Sequence, residues 1–177
     1  MFLKSLALNP KDLDTWYFLG RASYSADPAA AVDSYRHALE RGAPQGRVYE
    51  HLGRAYELLG QAADADKSYR RALELAGDSF SPYFAYGTFL FKAGRIADSL
   101  PVLEQALRRE PGSAEARLEL SRALFHAGET EQALGVLQPA RESNDCRVHQ
   151  LLLRLFTLKA NTREADKELN FLETCRP

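Results

Sequence analysis

No stretch of this sequence stays apolar for anything near the ~20 residues that a membrane-spanning helix needs. The opening MFLKSLALNP has one lysine and an apolar run too short for the core of a secretory signal, so as given the chain carries no export signal. An excess of basic residues is also missing. The formal net charge is -1, which argues against nucleic acid, whose phosphates demand a basic footprint. No alternating strand pattern occurs, so no glycine-rich phosphate loop can follow a strand. The four histidines, at 37, 51, 126 and 149, lack metal-ligand spacing such as HExxH. His149 falls on an apolar face, where a packed core histidine is the expectation. No catalytic constellation, metal site or cofactor motif emerges, and the expectation is a non-enzyme. With 45% hydrophobic and 27% charged residues, the chain suits a folded unit with a continuous core.

What the sequence does have is helical periodicity, most plainly in Gly46 to Ser79. Tyr49, Leu52, Gly53 and Tyr56 recur on one helical face, and Ala65, Tyr69, Ala72 and Leu73 repeat that spacing after a turn at Gly60. Glycine takes the left-handed conformation that closes a helix. Trp16, Leu19 and Gly20, then Ala31, Tyr35 and Ala38, make an earlier pair. Its second helix restarts at Asp27-Pro28, an N-cap followed by a proline at the first helical position. The link between these two helices is expected to be about one residue shorter than in the next pair. Later pairs turn at Gly94, at Gly128 and at Ala160-Asn161, where Asn is expected to replace glycine.

Small residues recur at fixed places: Gly20, Gly53 and Gly87 on first helices, and Ala31, Ala65, Ala133 and Ala165 expected to face them. Ala38, Ala72, Ala106 and Ala140 follow one turn on, with Ser121, Leu153 and Leu172 departing from the pattern. A period near 34 residues with these small residues resembles the tetratricopeptide repeat family, over nearly the whole chain. The resemblance implies an all-α fold, a right-handed α-solenoid of five helix-turn-helix hairpins. Their spans are 13–45, 46–79, 80–113, 114–145 and 146–177. Residues 1–12 are read as the tail of a preceding repeat or a stub, because Ser5 to Pro10 ends as Leu107 to Pro111 does. Bends are expected near Ala97–Pro101 and Gly135–Pro139, where proline removes a helix hydrogen bond.

The resemblance also implies that first helices line an inner, concave surface, where i, i+3, i+7 and i+10 places point. Read across the repeats, those places bring together Tyr17, Arg21, Tyr24, Arg47, Arg54, Phe84, Phe91, Arg122, Phe125 and Arg154. Guanidinium forks grip carboxylates and rigid rings offer contact area, so the row reads as a groove for an extended peptide with apolar and acidic side chains. Two structural readings stand beside it: the arginines pair with Glu50, Glu57, Glu115 and Glu119, and the rings pack between neighbouring helices. The lysine and asparagine clamp with which some relatives hold chaperone tails is not present, its places holding Tyr17, Phe18, Arg21, His51, Arg147 and Leu151. The expected partner is thus a protein or peptide, with no nucleic acid and no membrane insertion. The alternative is an assembly segment whose ends stack on further repeats or, as a homodimer, on a second copy. A regulatory domain of a larger enzyme is a third reading.

Cys146 and Cys175 open and close the fifth hairpin, at mirrored positions about its turn. Two readings stand open: a disulfide clamping the last pair, or two reduced thiols. The first suits an extracytoplasmic fragment, the second a complete cytoplasmic chain.

Overall fold

The computed structural model describes residues 13–40, 42 and 45–175, and the readings placed on residues 1–12 lie outside them. Ten α-helices and no strand are found among the described residues. In chain order they are α1 (Leu13–Ser23), α2 (Pro28–Glu40), α3 (Gln45–Leu58), α4 (Ala62–Glu74), α5 (Phe80–Lys92), α6 (Ile96–Arg109), α7 (Ala114–His126), α8 (Thr130–Leu137), α9 (Cys146–Leu158) and α10 (Thr162–Thr174). They fall into two compact units, residues 1–89 and 90–177, treated separately below.

Four connections are built alike. After α3 the Gly60 N–H donates to the Glu57 carbonyl and the Gln61 N–H to the Tyr56 carbonyl, with Gly60 at φ +69°. That pair of bonds satisfies carbonyls the helix end leaves open. The same two bonds recur at Gly94, at Gly128 and at the last turn, there from Ala160 and Asn161. At this last turn the sequence expectation is corrected: Ala160 takes the left-handed conformation, φ +52°, whereas Asn161 has φ -87°. Asn161 instead caps α10, its side chain accepting from the Glu164 N–H at 3.3 Å. Asp27 caps α2 as expected, its Oδ1 accepting from the Ala30 N–H at 3.0 Å. The link before it is not short. Residues 24–27 join α1 to α2 where residues 59–61 join α3 to α4, because α1 ends early instead.

The two inner prolines behave differently from one another. Helix α6 runs unbroken through Pro101, and the Ala97 residue whose carbonyl loses a donor is exposed to water. Pro139 ends a helix rather than bending one, since α8 stops at Leu137 and a single 3-10 turn, Gln138–Ala140, follows.

In unit 1 the small residues of the first helices make room for rings. A Cβ on Gly20 would lie 2.5 Å from the Tyr35 ring, and one on Gly53 would lie 3.0 Å from the Tyr69 ring. The nearest atoms facing the glycines belong to these tyrosines, and Ala31 and Ala65, expected to face them, are fully buried. The Tyr69 hydroxyl donates to Glu57 at 3.0 Å, while the buried Tyr35 hydroxyl has no hydrogen-bond partner among the described residues.

Unit 2 has a polar cluster in its last hairpin. Glu168 is only 1% exposed, although its surroundings in sequence suggest a solvated face. Its carboxylate meets His149 Nδ1 at 2.6 Å and Arg141 Nη2 at 2.5 Å, the latter an ion pair off the hydrogen-bond axis. His149 is buried, stacks on Phe171 at 3.6 Å and turns Nε2 to the Ser143 carbonyl at 3.0 Å. Cys146 and Cys175 form a disulfide with Cα atoms 6.1 Å apart, joining the start of α9 to the residue after α10. A closed loop of this size is worth about 3–4 kcal/mol in the chain-entropy account.

Three stability outcomes follow, measured by chemical denaturation. Ala160→Gly should gain about 0.5–1 kcal/mol by relieving a left-handed alanine, whereas Gly20→Ala should lose about 1–3 kcal/mol by overpacking against Tyr35. Glu168→Ala should cost about 3 kcal/mol, because Arg141 and His149 lose their shared counter-charge in a buried setting.

Candidate functional site

Helix α3 places Arg47, Glu50, His51 and Arg54 at helical spacing along one face of unit 1. Together with Ser79 and Ser81 they border an open hollow of about 900 Å3. Glu50 is buried, forms an ion pair with Arg54 at 2.8 Å and accepts the Ser81 hydroxyl at 2.7 Å. A carboxylate from α3 is thereby tied to the start of α5, and Arg54 is held over it. Arg47 is exposed and has no hydrogen bond or ion pair among the described residues.

His51 registers the field of this site. Its ring lies 5.5 Å from Tyr17 and 5.9 Å from Tyr35. Burial, followed by the repulsion of Arg54, Arg21 and Arg47, pulls its pKa down to about 4. The three arginines contribute positive potential there, which would favour an incoming anion.

In unit 2 the first helices of successive hairpins, α7 and α9, share a smaller hollow of about 280 Å3. Arg122, Arg147 and Arg154 border it with Gln150, over a floor of buried Leu118 and Leu151. Arg122 contacts Glu119 at 3.0 Å and lies 5.4 Å from the Phe91 ring centre. Arg147 meets Asp145 at 2.6 Å, and this hydrogen-bonded guanidinium holds the Asp145 carboxyl below the usual carboxylate range. Arg154 has no partner among the described residues. A guanidinium free to make two parallel bonds, beside two that are only partly neutralised, is arranged to receive a carboxylate.

The residues picked out by sequence are thus divided. Arg47 and Arg54 border one hollow, Arg122 and Arg154 the other, and Arg21 lies over Tyr17 at 6.0 Å. Four of the five rings are engaged with other rings. Tyr17 packs on Tyr35, Phe84 stacks on Phe80 at 5.3 Å, and Phe91 and Phe125 both contact His126. Tyr24 and Phe84 line neither hollow. Left out of the row picked by sequence, though they border the hollows, are His51, one turn from both Arg47 and Arg54, and Arg147 with Gln150, which occupy the inner row of the fifth hairpin. No group of three or more His, Cys, Asp or Glu able to hold a metal occurs among the described residues. None of their helices is long and apolar enough to cross a membrane.

Family models described as the tetratricopeptide repeat match residues 46–79 and 90–155, together more than half of the chain. The chain belongs to the tetratricopeptide repeat family. Solved structures of similar fold include YrrB, a tetratricopeptide repeat protein with an unusual peptide-binding site. It is 20% identical with a TM-score of 0.76, covering 96% of this chain and 89% of that one. PilW, a widely conserved type IV pilus biogenesis factor, is 19% identical with a TM-score of 0.83, covering 98% and 82%. MamA from Desulfovibrio magneticus RS-1 is 19% identical with a TM-score of 0.81, covering 91% and 93%. At these identities the likeness is one of fold. No curated protein matches the sequence. A tetratricopeptide repeat fold supports a protein-interaction module, and its family is one of interaction and scaffold proteins in general.

The field at His51 has a thermodynamic consequence. An unfolded histidine titrates near ~6.5, so between that pH and about 4 the unfolded chain binds a proton the folded chain refuses. Stability from this group is complete above ~6.5 and is lost as pH falls toward 4. NMR titration should place His51 near 4, and Arg54→Met should raise that value.

Proposed function

We propose that this protein is a non-catalytic module that holds a segment of a partner polypeptide against its first helices, with acidic side chains of the segment seated on α7 and α9. The observation that carries the reading is Arg154, unpartnered among the described residues beside Arg122 and Arg147 over an apolar floor. A floor of Leu118 and Leu151 receives an apolar side chain, and the surrounding forks receive carboxylates on either side of it. Such a segment alternates leucine or phenylalanine with glutamate or aspartate. The hollow beside Arg47 and Arg54 in unit 1 has the same polarity and suits the same chemistry.

Fluorescence anisotropy with a labelled peptide alternating Glu with Leu tests the reading. Binding should weaken as salt rises, and Arg154→Ala should weaken it about tenfold, or ~1.4 kcal/mol, while the melting temperature stays put. Equal binding of a Lys-Leu peptide, or indifference to Arg154→Glu, would contradict it.

A further inference from the structure

Tyr35 and Tyr69 occupy the same place in successive hairpins of unit 1. Each stands on the second helix, four residues after a fully buried alanine, and each ring lies against the glycine of the facing first helix. Neither residue is more than 1% exposed. Burial raises the pKa of both hydroxyls, so each is a neutral donor in need of an acceptor. Tyr69 has one: its hydroxyl donates to Glu57 at 3.0 Å, and Glu57 stands four residues after Gly53. Four residues after Gly20 stands Tyr24 instead, and the Tyr35 hydroxyl has no acceptor among the described residues.

Around that orphaned hydroxyl the chain supplies cations. After burial and the phenol of Tyr17, the groups that act on it most are Arg21, Tyr24 and Arg54. Arg21 is exposed, lies over the Tyr17 ring at 6.0 Å and has no hydrogen bond or ion pair among the described residues. Arg54 pairs with Glu50 through Nη2 at 2.8 Å, and a guanidinium has five N–H donors to give. His51, stacked on Tyr35 at 5.9 Å, is kept neutral by burial and then by Arg54, Arg21 and Arg47. Tyr24, half-buried in the link after α1, is close enough to act on both Tyr35 and Tyr69.

We propose that Tyr35, Arg21 and Arg54 form a carboxylate subsite in unit 1, which takes a glutamate or aspartate side chain of the partner segment at the place Glu57 fills for Tyr69. The carboxylate accepts from the Tyr35 hydroxyl and from the two guanidinium groups, the charge-assisted bonds that a desolvated anion requires. The hydroxyl is closed to solvent, so the carboxylate enters as the Tyr24 side chain turns aside. This subsite rests on the reading that the first helices hold an acidic segment, but it shares no residue with the hollow of α7 and α9.

The test titrates the intact chain, isotope-labelled, with a C-terminally amidated peptide alternating Glu with Leu, and reads affinity at unit 1 from the His51 ring. Binding should lift the His51 titration midpoint above about 4, since a nearby anion favours the imidazolium. Tyr35→Phe should weaken binding about tenfold, while the melting temperature of the free chain holds or rises, because the donor it removes had no acceptor. Tyr24→Glu should abolish binding at unit 1 by supplying the carboxylate from the chain itself, whereas Tyr24→Ala should retain it. Silence at His51 while Arg154 shifts would overturn this proposal and leave the other standing. Full affinity of Tyr35→Phe or of Tyr24→Glu would overturn it too, as would equal binding of an amidated Gln-Leu peptide. Binding only of a Gln-Leu peptide with a free C-terminus would do the same, since the carboxylate would then be a chain end.

Discussion

The ring of Tyr35 lies where a side chain on residue 20 would be, and the ring of Tyr69 crowds residue 53 in the same way. Close contact of a first helix with the second helix of its own pair is the constraint on which the rest of unit 1 depends. It decides which face of each first helix is buried, and hence which residues are left to meet a partner. The buried rings then pass the contact onward, Tyr35 to His51 and Tyr69 to Tyr86 and Phe89, so one hairpin positions the next. Unit 2 reaches the same end with aliphatic residues, Leu103 and Leu137 being fully buried at the corresponding places.

Much of this was legible in the sequence because it depends on local rules. Glycine at 60, 94 and 128 marks turns since other residues pay a steric penalty there, and Asp27-Pro28 marks a helix start by supplying an acceptor and omitting a useless donor. What was not legible depends on partners far away in the chain. Asn161 is a reasonable left-handed residue, but it is needed as a cap for α10, so the turn falls to Ala160. Glu168 reads as one more charge on a polar helix, and only the approach of Arg141 and His149 from outside α10 explains its burial. Pro139 reads as a bend, yet the chain simply ends α8 at Leu137 and spends three residues in a tighter turn.

The inner faces show the same division. Arginine at one inner place of four hairpins, Arg21, Arg54, Arg122 and Arg154, was visible as a pattern, but whether each is neutralised depends on neighbours. Arg54 is held by buried Glu50, Arg122 by Glu119 and Arg147 by Asp145. Such pairs leave Arg54, with Arg21 and Arg47, close enough to His51 to add to the larger effect of burial in disfavouring its protonation. They hold the guanidinium forks in place, while Arg47 and Arg154 border the two hollows with no hydrogen bond or ion pair among the described residues. Of the aromatic residues expected to offer contact area, Tyr17, Phe84, Phe91 and Phe125 each contact another ring, and Phe91 also lies beside Arg122.

The account therefore assigns support to the second helices and recognition to the first. Mapping amide shifts of the labelled chain as a short acidic, leucine-containing peptide is added tests that division most directly. Changes at Arg122, Arg147, Gln150 and Arg154, with α6 and α8 unmoved, are the predicted result. Changes concentrated on α6 and α8, with those four residues silent, would contradict it.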